Sequence, residues 1–244
     1  MKIHVMAREE IGGFVADLFE RTLASKADAV FGLTTGNTPL ETGVYRELVR
    51  REREGRLDFR RCSFVNPDEQ LGLPGTHPES YYAYMRKHLF DEIRFDERRW
   101  AIPDGLAAEP EAECARMEAF IREAGGIDLQ LVGIGINGHV CFIEPAPALP
   151  ATCFVTGIAE VNRALYAPLF GGSLEAVPTQ AITFGWGTVA KTRKLVLVAV
   201  GERKAEIVAR ALTGPVTTEV PATLLQLHPD AEVVLDPAAA QRLG

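Results

Sequence analysis

The chain has 244 residues, 47% of them apolar and 24% charged, with a net charge of −7. That length suits one large domain, and the balance suits a folded globular protein and excludes a disordered one. The negative charge gives no electrostatic reason to bind nucleic acid or an anionic membrane, so an anionic ligand would need a local positive site.

In chain order, "KIHVMA" predicts a short strand and "EEIGGFVADLFERTLASKAD" an amphipathic helix. "AVFGLT" reads as a strand and "TPLETGVYRELVRRERE" as one helix, with Pro39 tolerated in its first turn. "CSFVNP" predicts a strand, "HPESYYAYMRKHLFDEI" a helix after its His-Pro, and "EAECARMEAFIREAGG" a helix closed by Gly125-Gly126. Then come strands in "IDLQLVGIG", "TQAITFGWGTV" and "KLVLVAV", a helix in "ERKAEIVARALTG" and a last strand in "AEVVLD". Strands alternating with helices predict an α/β fold, with a largely parallel, Rossmann-like central sheet flanked by helices in a single domain over 1–244. Such a sheet takes ligands beyond the carboxyl ends of its strands.

The start "MKIHVMAREE" turns charged too early for a secretory signal, and no apolar run reaches the roughly 18 residues of a membrane span. The four cysteines, Cys62, Cys114, Cys141 and Cys153, lack the paired spacing of a zinc site and read as reduced thiols of a cytoplasmic protein. Cys141 is expected to pack in the core, with a nucleophilic role as the weighed alternative. No metal or organic cofactor is expected. A homo-oligomer is left open.

Four segments carry candidate chemistry. "LTTGNTP" joins a strand to a helix. Gly36 permits close approach of backbone to a ligand, and Thr34, Thr35, Asn37 and Thr38 offer donors suited to phosphate. It is neither a P-loop nor a dinucleotide-binding turn. "VNPDEQLGLPGTHPESYY" puts Asp68 and Glu69 past a strand, as helix-capping carboxylates or as a catalytic base with its neighbour. "GIGINGHVCFIEP" sets Asn137, His139 and Glu144 close together behind Gly133 and Gly135. A carboxylate at that spacing can orient an imidazole, and a satisfied loop histidine is the plainer reading. "VGERKAEIV" opens a helix with Lys204, either a point charge for phosphate or a solvated lysine.

Taken in order, these segments resemble the glucosamine-6-phosphate deaminase family, which shares a superfamily with the 6-phosphogluconolactonases. The resemblance runs from about Phe31 to Asp236 through "TGNTP", "DEQLGLPGTHPESY", "GIGINGHVCFIEP" and "LLQLHP". The "GLPGTHPESYY" and "EP" parts look more like the deaminase branch. The resemblance implies isomerisation of an amino-sugar phosphate with loss of ammonia. It implies that His139 opens the sugar ring, supported by Glu144 and Asn137, and that Asp68 moves a proton from C2 to C1. Gly36, Asn37, Thr38 and Lys204 would bind phosphate, with Thr35, Gly133 and Gly135 beside them.

The sequence departs from the family in the binding shell. Ungapped spacing puts Pro168 where the family usually has a phosphate-clamping Arg, a loss of about 1.5–3 kcal/mol for a charge-assisted hydrogen bond. Arg163 is the candidate substitute. Gln70 stands for the usual Tyr and Ile143 for the usual Asn. Phe154 and Thr156 stand where the hexameric, regulated branch has basic residues, so no such activator site is expected. The readings left open are a lactone hydrolase acting on a sugar phosphate and a non-catalytic sugar-phosphate binder.

Overall fold

The computed structural model describes residues 1–244. Its strands are β1 (Lys2–Val5), β2 (Val30–Gly32), β3 (Ser63–Val65), β4 (Glu69–Gln70), β5 (Trp100–Ala101), β6 (Leu129–Val132), β7 (Phe154–Gly157), β8 (Gln180–Thr183), β9 (Lys194–Ala199) and β10 (Ala231–Leu235). Its α-helices are α1 (Arg8–Ser25), α2 (Asn37–Glu41), α3 (Val44–Arg53), α4 (Tyr81–Met85), α5 (Pro110–Glu123), α6 (Glu160–Tyr166), α7 (Trp186–Ala190), α8 (Ala205–Thr213) and α9 (Pro237–Ala240).

Seven strands form one parallel sheet in the order β1-β10-β9-β6-β2-β3-β5. Side chains alternate across it because successive residues of a strand face opposite ways. On β9, Leu195, Leu197 and Ala199 join one core with α5 and α8, while Val196 and Val198 join the other with α1 and α3. Both faces are therefore covered, which is why these strands read as continuous apolar runs. Phe31 of β2 is fully buried and stacks on Phe19 of α1 at 4.4 Å. Truncating such a ring to alanine costs about 3–5 kcal/mol.

The segment read as one helix from Thr38 is two, α2 and α3. Gly43 between them adopts φ 69°, a left-handed value that ends the first helix and redirects the chain. The second half of "TQAITFGWGTV" is the helix α7 rather than a strand. The helix expected after His77-Pro78 starts at Tyr81, where the Ser80 hydroxyl accepts from Ala83 N–H at 3.1 Å, and it widens to a π-helix over Arg86–Phe90.

A second, antiparallel sheet, β4-β8-β7, holds the first half of the expected "TQAITFGWGTV" strand as β8, while β4 and β7 lie outside the expected elements. It matters because β4 begins one residue after Asp68 and β8 ends on Thr183.

Candidate active site

Strand order brings four loops together. β9, β6, β2 and β3 are consecutive neighbours and parallel, so the segments after them leave from the same edge. The chain order reverses between β6 and β2, the switch point at which sheets of this kind bind ligands.

After β3, the adjacent carboxylates part company. Glu69 accepts N–H donors from Gln70 (2.9 Å), Tyr81 (3.0 Å) and Tyr82 (2.9 Å), so it caps the start of α4. It also borders a separate cavity of about 400 Å³ beside Tyr82, Trp100 and Arg116, which contains none of the sequence-predicted site residues. Asp68 turns the other way. Its Oδ1 accepts from the Thr183 hydroxyl at 2.5 Å, and that hydroxyl accepts from Phe142 N–H at 3.1 Å. Asp68 is only 6% exposed. Burial pushes its carboxyl up to about 7, with Glu69 adding to the rise and the Thr183 and Phe142 donors opposing it. A carboxylate poised near neutrality suits a general base.

The loop after β6 reaches the same place, since Phe142 lies three residues beyond His139. Glu144 is gripped at both oxygens, by Asn137 Nδ2 at 2.6 Å and by Asn162 Nδ2 at 2.7 Å. His139 Nδ1 lies 3.5 Å from Glu144 Oε1 and 3.2 Å from Asn162 Nδ2. Burial pushes Glu144 up, but His139, Asn137 and Asn162 outweigh it and hold the carboxyl below its ordinary value. Gly135 makes room for the imidazole, and its N–H donates to His139 O at 2.9 Å. Cys141, in this loop, has φ 56°, and burial together with Asp68 drives its thiol well up. A thiol so held is a poor nucleophile, in keeping with the packing role.

After β2, Gly36 (φ 97°) precedes α2, whose start carries no side-chain cap. Tyr84 Oη donates to Gly36 O at 2.7 Å and Tyr45 Oη to Thr34 O, which fixes the loop against α3 and α4. Thr35 and Thr38 are half-buried and Asn37 is exposed. After β9, Lys204 Nζ donates to Ile134 O at 2.6 Å, between Gly133 and Gly135. Burial lowers the lysine, with Arg203 adding to the effect and Glu41 of α2 opposing it. A desolvated lysine and an uncapped helix start are each features that anion sites use.

Arg163 does not take the clamp's place. Its Nη2 donates to Leu174 O (2.6 Å) and Val177 O (3.2 Å) and ties down the 174–177 loop. Pro168 lies exposed in a 3₁₀ turn, Ala167–Phe170, held over the "GTHPES" loop by Phe170 stacked on His77 at 5.8 Å. Ile143 is fully buried, and Gln70 Nε2 donates to Glu79 O at 3.1 Å. Two polar residues of the site were missed from sequence: Thr183, in an apolar strand, and Asn162, on a short helix that shows no periodic signal. No group of three or more His, Cys, Asp or Glu is placed to hold a metal ion.

The fold is that of an α/β protein whose polar loops gather at the carboxyl ends of neighbouring parallel strands. The family model for glucosamine-6-phosphate isomerases/6-phosphogluconolactonase matches residues 6–235, and the chain belongs to that family. It is 41% identical over 235 residues to a glucosamine-6-phosphate deaminase of Clostridium perfringens, with 96% of each chain covered. It is 43% identical over 233 residues to one of Mycolicibacterium smegmatis, covering 96% of this chain and 88% of that one. A solved structure of a monomeric glucosamine-6-phosphate deaminase superposes with a TM-score of 0.94 at 37% identity, over 99% of this chain and 100% of that one. The 6-phosphogluconolactonase of Thermotoga maritima shares the fold, with a TM-score of 0.77 at 17% identity over 96% of this chain and 98% of that one.

Proposed function

We propose that the chain is a glucosamine-6-phosphate deaminase, converting glucosamine 6-phosphate and water to fructose 6-phosphate and ammonia. The observation that carries this reading is the single hydrogen-bonded chain from Asp68 through Thr183 to Phe142, on the loop that holds His139 and Glu144. The names of the relatives at about 40% identity supply the substrate.

As the sugar opens, His139 takes the proton of the C1 hydroxyl and delivers one to the ring oxygen, so the aldehyde forms and the imidazole returns to its starting state. Asp68 takes the C2 proton, leaving an enolamine, and returns it at C1, which gives an imine at C2. Water adds to that imine and ammonia leaves. Burial serves the proton transfer by keeping Asp68 basic enough to act near neutral pH. Thr35, Gly36, Asn37, Thr38 and Lys204 hold the phosphate, with Gly133 and Gly135 lining the approach. The proposed setting is the cytoplasm, which suits four unpaired cysteines; no helix is long and apolar enough to cross a membrane.

The test is incubation with glucosamine 6-phosphate while following ammonia and fructose 6-phosphate, with Asp68→Asn as control. Turnover at least a hundredfold above the control, about the scale of one acid–base group, is expected. Rates equal to the control would overturn the reading. Hydrolysis of 6-phosphogluconolactone without ammonia release would put the lactonase reading in its place.

A further inference from the structure

We propose that a basic cavity between α2, α3 and the π-helical turn Arg86–Phe90 is a second anion site, which takes a small organic phosphate. It lies behind the "TGNTP" loop and away from the segment after Pro145, where the regulated branch of the family has basic residues. It does not depend on the deaminase reading.

The cavity has a volume of about 690 Å³, enough for a small metabolite. Its walls carry four cations, Arg46, Arg50, Arg53 and Lys87, against two carboxylates, Glu54 and Glu92. That surplus stands on a chain of net charge −7. Charged helix faces ordinarily pair with themselves, and part of this one does. Arg50 donates to Glu47 and to Glu54, at 2.5 Å each, and Arg53 pairs with Glu92. Arg46 and Lys87 are the exceptions: neither forms an ion pair, and both line the cavity. Two backbone features put them there. A Cβ at residue 43 would lie 2.6 Å from Arg46 Nη2, so the glycine that separates α2 from α3 also makes room for the guanidinium. Lys87 and His88 sit in the π-helical turn, a wide turn that recurs at functional sites.

Two cations without a counter-charge call for a dianion. A phosphate monoester carries nearly two charges on one head near neutral pH and accepts from both Arg and Lys. Pro39, Leu40 and Val49 give the cavity an apolar side, which leaves space for the organic body. The remaining walls reach the loop in front. Tyr45 lines the cavity and its Oη donates to Thr34 O. The His88 ring packs at 4.7 Å on that of Tyr84, whose Oη donates to Gly36 O at 2.7 Å. An occupant would therefore touch the groups that hold the "TGNTP" loop without entering the crevice.

The experiment is ¹⁵N NMR of histidine-labelled protein at low ionic strength, titrated with glucitol 6-phosphate, a phosphate monoester with no carbonyl to react. His88 is the one histidine on the cavity wall, and its signal is assigned among the five by its loss in His88→Gln. The His88 signal is expected to shift saturably. Arg46→Gln/Lys87→Gln should raise the midpoint of that titration about tenfold or more, the worth of one or two charge-assisted hydrogen bonds. Both side chains are exposed, so the variant should fold, which its resting His88 signal checks. In Lys204→Gln, on the crevice side, the midpoint should stay within about threefold. An unmoved His88 signal overturns the proposal, and so does an unchanged midpoint in Arg46→Gln/Lys87→Gln. A midpoint raised by Lys204→Gln as much as by the double variant would place the probe in the crevice and overturn it too. Equal midpoints for inorganic phosphate and glucitol 6-phosphate would overturn the organic body of the ligand.

Discussion

Gly135 and His139 compete for the same space: a Cβ at residue 135 would lie 2.2 Å from the imidazole Cε1 and 2.3 Å from Nδ1. The glycine is thus a packing requirement of the imidazole. Gly135→Ala is expected to push the ring off Glu144 and Asn162 and lower kcat by about tenfold or more, since misplacement of about an ångström costs that much. Its fold should survive, because the displaced group is a side chain rather than backbone. Steady-state kinetics beside a thermal melt checks this; full activity would show that the imidazole tolerates the shift.

The Asp68 carboxyl is held at about 7 in the folded chain against 3.8 as its ordinary value. Between these values the folded state keeps a proton that the unfolded state has released. Folding stability therefore falls as pH rises from about 4 to 7, by roughly 4 kcal/mol in all at 1.36 kcal/mol per unit. Asp68→Asn removes that cost. It should be more stable than the wild type at pH 8 by roughly 2–4 kcal/mol, with the gain shrinking toward pH 4, and it should be inactive. Activity of the wild type should rise through a midpoint near 7 as the base loses its proton. Denaturant melts at several pH values and a kcat/KM profile test both signs.

Thr183 touches both halves of the site, donating to Asp68 and accepting from Phe142 N–H. Thr183→Val keeps the shape and deletes the hydroxyl, leaving two buried polar groups short of a partner at about 1–3 kcal/mol. The hydroxyl also favours the charged form of Asp68. Its loss should therefore move the kcat/KM midpoint to higher pH, and Thr183→Ser should restore it. A profile identical to the wild type in Thr183→Val would show that the contact does not tune the base.

Much of this was legible in the sequence, and the exceptions have physical causes. The inner strands of the parallel sheet are buried on both faces, so their apolar runs stood out. The Asp68-Glu69 pair left capping and catalysis both open. Neighbouring residues along an extended chain point to opposite sides, so one carboxylate caps α4 while the other enters the crevice. Which was which depended on the pairing of Glu69 with Ile182, more than a hundred residues away. The two-residue strand β4 is too short to show a period. "FGWGTV" has the composition of a strand, but α7 forms because Gly185 and Gly187 pass within contact of the Ala151 backbone, which no local pattern records. Asn162 had no signal beyond its residue type.

The clamp position remains the clearest departure from the family, and it yields the last prediction. Pro168 has neither charge nor donor, Arg163 is committed to the carbonyls of Leu174 and Val177, and Lys204 is held on the Ile134 carbonyl. The Ala167–Phe170 turn is already seated against His77. A longer side chain at 168 can therefore be added at the exposed edge without repacking a core. Pro168→Arg should lower KM for glucosamine 6-phosphate by about tenfold, the worth of one charge-assisted hydrogen bond, and leave kcat within about twofold because the proton-transfer groups are untouched. The gain should shrink in high salt, as an exposed ion pair is screened. An unchanged KM at low salt would mean that this turn does not face the phosphate, and that the chain grips its substrate through α2 and Lys204 alone.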